Sequence, residues 1–451
     1  MNNKPIYYSI IVSLSGFLFG FDTIVISGAN LPIKALWHTS SWFHGFFIMS
    51  VALWGTVLGA MLGGILCDHQ GRKTTLFWIG VLYFMSALGT ALATDPYIFS
   101  AYRFLGGFAI GISTIAAPAY ISEISPARHR GKLVGLFQIN IVIGILAAYI
   151  SNYFLEGFGG KNDWRWMLGV EMIPSILFIG LILHIPESPR WLLLKKGSIE
   201  KATKIFKTLY KGDVENATSV VNNILEDKQQ TKEKTDLSNN NKPFFLAFLM
   251  AFFNQASGIN FILYYAPEIM EKAGLSTNQS LLGAVFIGGT NLIFTLWSLS
   301  LIDRMGRRHL MISGSIGYLL SLSLIIFGFY QPTVPFVKLF AILVFIASHA
   351  IGQGSVIWVF ISEIFPNRLR AKGQSFGALV HWTMAALITL FGSVLITNLP
   401  PWQIFSIFLF FMVLQILFIF FLMPETKGIT LEEHLQKIIP SSKFSYKQFN
   451  K

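Results

Sequence analysis

The chain is poor in what most functional classes require. Its single cysteine, Cys67, excludes an intramolecular disulfide framework. Charged residues make up only 12% of its 451 positions, against about 25% in soluble domains. The segments GRK (71–73) and RGK (130–132) are basic but lack the glycine spacing of a phosphate-binding loop. No cluster of His, Cys, Asp and Glu has metal-ligand spacing, and no nucleophile stands in a hydrolytic constellation. These absences argue against an enzyme, and no cofactor or metal is expected.

What is present is apolar. Hydrophobic residues fill 53% of the chain, 42 of them Phe, and mean hydropathy is +0.58. About 20 apolar residues cross a bilayer as a helix, and such windows recur twelve times: 6–29, 42–66, 74–94, 97–122, 131–155, 165–185, 243–270, 279–302, 309–330, 336–363, 371–397 and 402–423. The first is no cleavable signal peptide, because Gly and Asp interrupt it and no A-x-A-like site follows.

The formal net charge of +12 raises the question of nucleic acid, and its distribution answers it. Basic residues gather after spans 2 (Arg72, Lys73), 4 (Arg128, Arg130, Lys132), 8 (Arg304, Arg307, Arg308) and 10 (Arg368, Arg370, Lys372). The alternate loops hold scattered members such as Lys34, Lys161 and Lys338. By the positive-inside rule the basic loops and both termini are cytoplasmic. The charge encodes topology, and no nucleic-acid partner is expected.

Residues 191–242 are too polar to insert. They include the amphipathic stretch EKATKIFKTLYKG and the polar run TDLSNNNKP, and read as a cytoplasmic linker with short helices. Motifs on either side repeat at offsets of 235 to 240 residues. CDHQGRKTT (67–75) is echoed by IDRMGRRHL (302–310), SEISPARHRGK (122–132) by SEIFPNRLRAK (362–372), and PESPR (186–190) by PETKG (424–428). The organisation is therefore a six-helix bundle over 1–190, the linker 191–242, a second bundle over 243–428 and a cytoplasmic tail, 429–451. Parallel repeats of this kind build secondary transporters, with the substrate at the midplane between them.

These motifs, with FGFDTIVISGA, RFLGGFAIG and NQASGINFILYYAPEIM, resemble the sugar porter family of the major facilitator superfamily, from about residue 9 to 428. The resemblance implies an all-α membrane protein with twelve transmembrane helices in two pseudo-symmetric six-helix bundles, importing a monosaccharide such as xylose, glucose or galactose by alternating access.

Asp22 is the only charged side chain between Ile6 and Asn30. A charge near the bilayer centre costs on the order of 3 kcal/mol on insertion scales. With span 1 running outward, Asp22 lies roughly 10 Å below the outer surface, and Arg103 in span 4 and Glu171 in span 6 fall at a similar depth of roughly 9 Å. Such charges pair with one another and mark proton pathways. The alternative is a fixed salt bridge that holds helices together. The family favours coupling: its proton-coupled members carry an acid and an Arg at the Asp22 and Arg103 positions, whereas its facilitative glucose carriers have Asn in place of the acid.

A sugar site needs neutral donors and acceptors and aromatic faces. Gln138, Asn254, Gln255, Asn260 and Asn291 would be costly against lipid and so should face a cavity. Trp358 and Trp382 offer ring platforms, and the Gly258–Ile259–Asn260 step invites a helix break. The resemblance makes this set the sugar contacts and adds Phe19 and Tyr264. Each amide has the alternative role of an interhelical hydrogen bond. The chain departs from the family at Asn254 (usually Gln), at His381 (Gln or Asn), at Ile145 (apolar, as in the glucose carriers) and at Ser355 (often Pro). His381 thereby joins the candidate site, either as an amide substitute or as a second titrating group.

At the helix ends, Asp68/Arg72, Glu123/Arg130, Glu187/Arg190, Asp303/Arg307 and Glu363/Arg370 set opposite charges within reach of each other. In the family such charges latch the halves together while the outer side is open. The reading is thus a monosaccharide–proton symporter of the inner cell membrane, multi-pass and monomeric, with sugar, proton and lipid bilayer as partners. The alternatives are a facilitative uniporter of the same fold, a non-transporting sugar sensor and a proton-driven drug exporter. The short tail disfavours a sensor, and the sugar-type span 7 disfavours an exporter.

Overall fold

A computed structural model describes residues 3–209, 218–221, 241–365 and 367–428, without the side chains of Ala127, Asn367, Arg368 and Ala371. Most of the polar run TDLSNNNKP and the tail 429–451 lie outside the described residues. Among the described residues, twelve helices are long and apolar enough to cross a membrane and there is no strand. They are span 1 (Asn3–Trp37), 2 (Ser41–Gln70), 3 (Arg72–Leu92), 4 (Pro96–Ile124), 5 (Arg130–Leu155), 6 (Gly160–Leu183), 7 (Lys242–Tyr264), 8 (Thr277–Met305), 9 (Arg307–Tyr330), 10 (Pro335–Glu363), 11 (Lys372–Asn398) and 12 (Pro401–Phe421).

Helix starts follow local chemistry. Asp95 accepts hydrogen bonds from the backbone N–H groups of Tyr97 and Ile98, and Ser276 and Gln279 form a capping box ahead of span 8. Proline occupies the first turn of spans 4, 7, 10 and 12, where its missing N–H costs nothing.

The same neighbour pairs occur twice. Span 1 packs on 5, 2 on 4 and 3 on 4 and 6; span 7 packs on 11, 8 on 10 and 9 on 10 and 12. The two sets meet through span 2 against 11 and span 5 against 8. This is the pseudo-symmetric pair of bundles that the sequence repeats foretell. After span 6, Pro189–Lys196 and Ile199–Leu209 form short helices, the second burying Ala202, Phe206 and Leu209 on one face.

Some expected spans are not single helices. The stretch 243–270 is three pieces, Lys242–Ala256, Ile259–Tyr264 and Ala266–Lys272. The first break is at Gly258, whose φ is +86°, and the third piece, Ala266–Lys272, carries Pro267 in its first turn. The stretch 336–363 breaks at Gly352 (φ −90°, ψ −96°). Span 1 continues beyond residue 29 to Trp37, carrying Pro32 inside it, and span 2 opens with a π-helical stretch, His44–Ser50.

Gly258 is needed for space as well as conformation, because a Cβ there would lie 2.5 Å from the Phe408 ring. Gly258→Ala should therefore destabilise the fold by about 2–4 kcal/mol, from left-handed strain and overpacking together. The check is the thermal midpoint in detergent, and an unchanged midpoint contradicts the account of the break.

Candidate functional site

The charged centre lies in the first bundle. Arg103 Nη1 donates to Asp22 Oδ1 at 2.7 Å and Nη2 donates to the Asp22 carbonyl at 3.1 Å. Arg103 is 2% exposed and Asp22 1%. Glycine makes the approach possible: a Cβ at Gly106, one turn from Arg103, would lie 3.2 Å from Asp22 Oδ1 and 2.4 Å from Ser86 Oγ. Glu171, at the kink between Asp163–Gly169 and Met172–Leu183, is 1% exposed and faces Asp22 and Arg103. Asp22 Oδ2, Glu171 Oε1 and Arg103 Nε have no hydrogen-bond partner. Two acids and one cation thus share one buried site. Tyr264, from the helix after the Gly258 break, reaches this centre from the other bundle.

A second cluster joins spans 7, 10 and 11. Gln255 Nε2 donates to Asn254 Oδ1 at 2.9 Å and lies 3.3 Å from His381 Nε2. The His381 ring sits between Trp358 and Trp382, with centroids 5.0 and 4.8 Å away. Trp382 continues across the bundle boundary to Phe19 at 5.6 Å, and Phe19 lies three residues, less than one turn, before Asp22 on the same helix. Gln255 Oε1 is buried without a partner, so it awaits a donor. Asn254, Gln255, Trp358, His381, Trp382 and Phe19 are thus brought together. Gln138 and Asn260 are half-buried with no hydrogen bond to that cluster, and Asn291 is buried beside Thr295 at 3.5 Å. Ser355 Oγ shares a 2.6 Å hydrogen bond with Ser298.

The basic end of the molecule is held by two copies of one arrangement. Arg72 binds Asp68 at 3.2 Å and Glu123 at 3.1 Å; Arg307 binds Asp303 at 3.4 Å and Glu363 at 2.8 Å. Ser188 donates to Glu123, and Thr426 donates to Glu363 at 2.6 Å. Three expected pairs have other partners. Glu187 accepts from the backbone N–H groups of Arg72 and Lys73, not from Arg190, because a helix start offers free donors and a positive dipole end. Glu123 is taken by Arg72 and Ser188, leaving Arg130 exposed. Glu363 is taken by Arg307 and Thr426, leaving Arg370 Nε buried and unpaired. Each ion pair named here closes within one bundle.

The opposite end is tied across the bundles by residues that sequence reasoning passed over. Asn30 Nδ2 donates to Glu268 Oε2 at 2.8 Å, and Lys34 stands 4.0 Å from Glu268 and 3.1 Å from Thr397. With the Asn30 nitrogen so engaged, its oxygen accepts from His44 Nε2 at 2.7 Å, and His44 Nδ1 accepts from Thr39. Tyr149 donates to the Leu263 carbonyl at 2.7 Å, and Asn278 to Glu156 at 2.9 Å. The signal was present in the sequence: a His, an Asn and a Glu stand at the ends of apolar runs.

A twelve-helix transporter of the major facilitator type, with a buried charged centre in one bundle and an amide-rich cluster in the other, is what this fold and site define. A family model described as "Sugar (and other) transporter" matches residues 8–437. The chain is similar to the D-xylose-proton symporter of Escherichia coli (32% identity, covering 94% of each chain) and the arabinose-proton symporter of Bacillus subtilis (34%; 95% and 94%). It is also similar to the glucose transporter GlcP of Staphylococcus epidermidis (33%; 96% of each). Among solved structures it resembles the inward open conformation of the xylose transporter XylE from E. coli, with a TM-score of 0.85 at 31% identity, covering 95% of this chain and 99% of that one. The TM-score is 0.79 against XylE bound to 6-bromo-6-deoxy-D-glucose. The chain belongs to the sugar porter family of the major facilitator superfamily, whose members are transporters and not enzymes.

Outside the membrane helices, Glu425 repeats the Glu187 arrangement. Burial pushes its carboxyl up, but hydrogen bonds from the backbone N–H groups of Lys427, Arg307, Arg308 and Thr426 hold it below the usual carboxylate range. A depressed value in the folded state means a stabilising contribution that is full above the ordinary glutamate range and lost as pH falls through the lower, folded value. Glu425→Ala should cost about 1 kcal/mol, as loss of a helix cap does. Thermal melts at pH 7 and pH 3 check this: the gap between wild type and variant should shrink at the lower pH.

Proposed function

We propose that the protein imports a monosaccharide with one proton by alternating access, as a monomer in the cell membrane with its basic end and both termini in the cytoplasm. The positive-inside distribution of Lys and Arg supports that orientation. The far end is tied shut between the bundles, while the basic-end ion pairs stay within each bundle. Together with the likeness to inward open XylE, this supports reading the state as inward-facing.

The observation that carries proton coupling is the buried Asp22–Arg103 pair with Glu171 beside it. Arg103 cannot release its proton, so it acts as the fixed counter-charge. Two ionised acids leave the site at one net negative charge, and one bound proton brings it to zero. Burial favours a carboxyl's neutral form and a neighbouring cation its charged form. A conformational change that alternates the two loads and releases one proton. The neighbouring Gln255–His381–Trp358–Trp382 cluster supplies acceptors and ring faces for a sugar. Tyr264 and Phe19 connect the two.

One proton crossing 100 mV and one pH unit supplies about 3.7 kcal/mol, enough for about 500-fold accumulation at one-to-one coupling. Asp22→Asn should keep sugar binding and counterflow yet lose accumulation driven by a pH gradient. Arg103→Leu should impair the same function, at a cost of about 3–5 kcal/mol in stability from the unpaired acid. Uptake into vesicles with and without an imposed gradient is the check, and wild-type protein indifferent to the gradient would be a uniporter. Gln255→Ala should weaken binding of the transported sugar by about 1–3 kcal/mol, measured by calorimetry. Unchanged affinity for every transported monosaccharide would remove Gln255 from the site.

A further inference from the structure

Behind Gln255 runs a row of side-chain amides through the core of the second bundle. Gln415 in span 12 donates through Nε2 to Ser315 Oγ in span 9 at 2.7 Å. Gln353 in span 10 donates to Gln415 Oε1 at 2.9 Å. Asn254 in span 7 donates to Gln353 Oε1 at 3.4 Å, the longest link, and Gln255 donates to Asn254 Oδ1 at 2.9 Å. Ser315, Gln353 and Gln415 are 0% exposed, and Asn254 and Gln255 2%.

An amide has one accepting oxygen and one donating nitrogen. Each member of the row uses its nitrogen toward Ser315 and its oxygen toward Gln255. Rotating any one of them would set oxygen against oxygen or nitrogen against nitrogen in a buried core, where each unmatched group is costly. The members of the row therefore share one direction, and a reversal must involve every member and turn the Ser315 hydroxyl from acceptor to donor. In this direction the Gln255 nitrogen is engaged by Asn254 and His381, and its oxygen is left buried and unpartnered at the cluster of Trp358, His381 and Trp382.

We propose that Gln353 and Gln415 are positioning residues for substrate recognition: the row they complete orients Gln255 so that it meets the sugar as an acceptor, selecting for a donating hydroxyl at that ring position. Asn254, one methylene shorter than the Gln usual in the family, is met across that gap by Gln353. The inference rests on the sugar-transport reading above. It extends selectivity to residues that do not touch the substrate.

The experiment is calorimetric binding of D-xylose, D-glucose, D-galactose and L-arabinose to full-length protein, then of the monodeoxy analogues of the sugar bound most tightly. Wild type should lose about 10- to 100-fold at one deoxy position. Gln353→Met with Gln415→Met replaces both inner amides by apolar groups of similar size. That variant should lose discrimination at this position, its ratio falling to within about 3-fold of unity, while ratios at the other positions persist. Gln415→Asn, which keeps a donor and an acceptor, should preserve most of the wild-type ratio. If the double variant fails to fold, Gln415→Leu carries the same test. Unchanged ratios, or a uniform fall in affinity at every position, overturn the inference and leave the transport reading intact. Wild type that binds none of the four sugars overturns the transport reading and the inference with it.

Discussion

A guanidinium that cannot lose its charge, held where water does not reach, dictates much of this architecture. Arg103 needs an anion within hydrogen-bond distance, since an unpaired charge in such a place is among the most destabilising features a fold can carry. Asp22 supplies it at 2.7 Å, which requires spans 1 and 4 to approach closely and Gly106 to leave the space. Once that pair is set, Glu171 is a surplus acid. Its presence sets a second carboxyl beside the salt bridge in the same buried site.

The two bundles share a packing plan and divide the chemistry. The first holds the ionisable groups, and the second holds neutral amides, His381 and two tryptophans. Neutral amides suit a neutral ligand, whereas a fixed charge there would require a partner in every state. The Gly258 break is where the two chemistries meet. It ends the helix bearing Asn254 and Gln255 and starts the one that carries Tyr264 to Asp22 and Arg103. Nine residues separate Gln255 from Tyr264 across that break.

The ends of the molecule behave differently for a similar reason. At the basic end, carboxylates seek the nearest free donors, which are helix starts and arginines of their own bundle. At the far end, Asn30, Lys34 and Glu268 find partners across the boundary. Contacts that exist in one arrangement of the bundles and not in another bias the equilibrium between them even when each is individually weak. At the basic end Arg130 is exposed and the Nε of Arg370 is buried without a hydrogen-bond partner among the described residues.

Twelve spans, their division into repeats and the isolated acid in span 1 could all be read from the sequence, because a bilayer forbids polar surface and each exception stands out against an apolar background. The helix break was legible too, since glycine is the residue that adopts a left-handed turn without strain. Partner choice was not. Glu187 prefers backbone donors to Arg190, Asn254 finds Gln353 99 residues away, and His44 reaches Asn30 where two spans converge. Hydrogen bonds of this kind depend on distances of a few tenths of an ångström between helices remote in sequence. Hydropathy and spacing determine which groups must be buried; only the packed structure decides which of them meet.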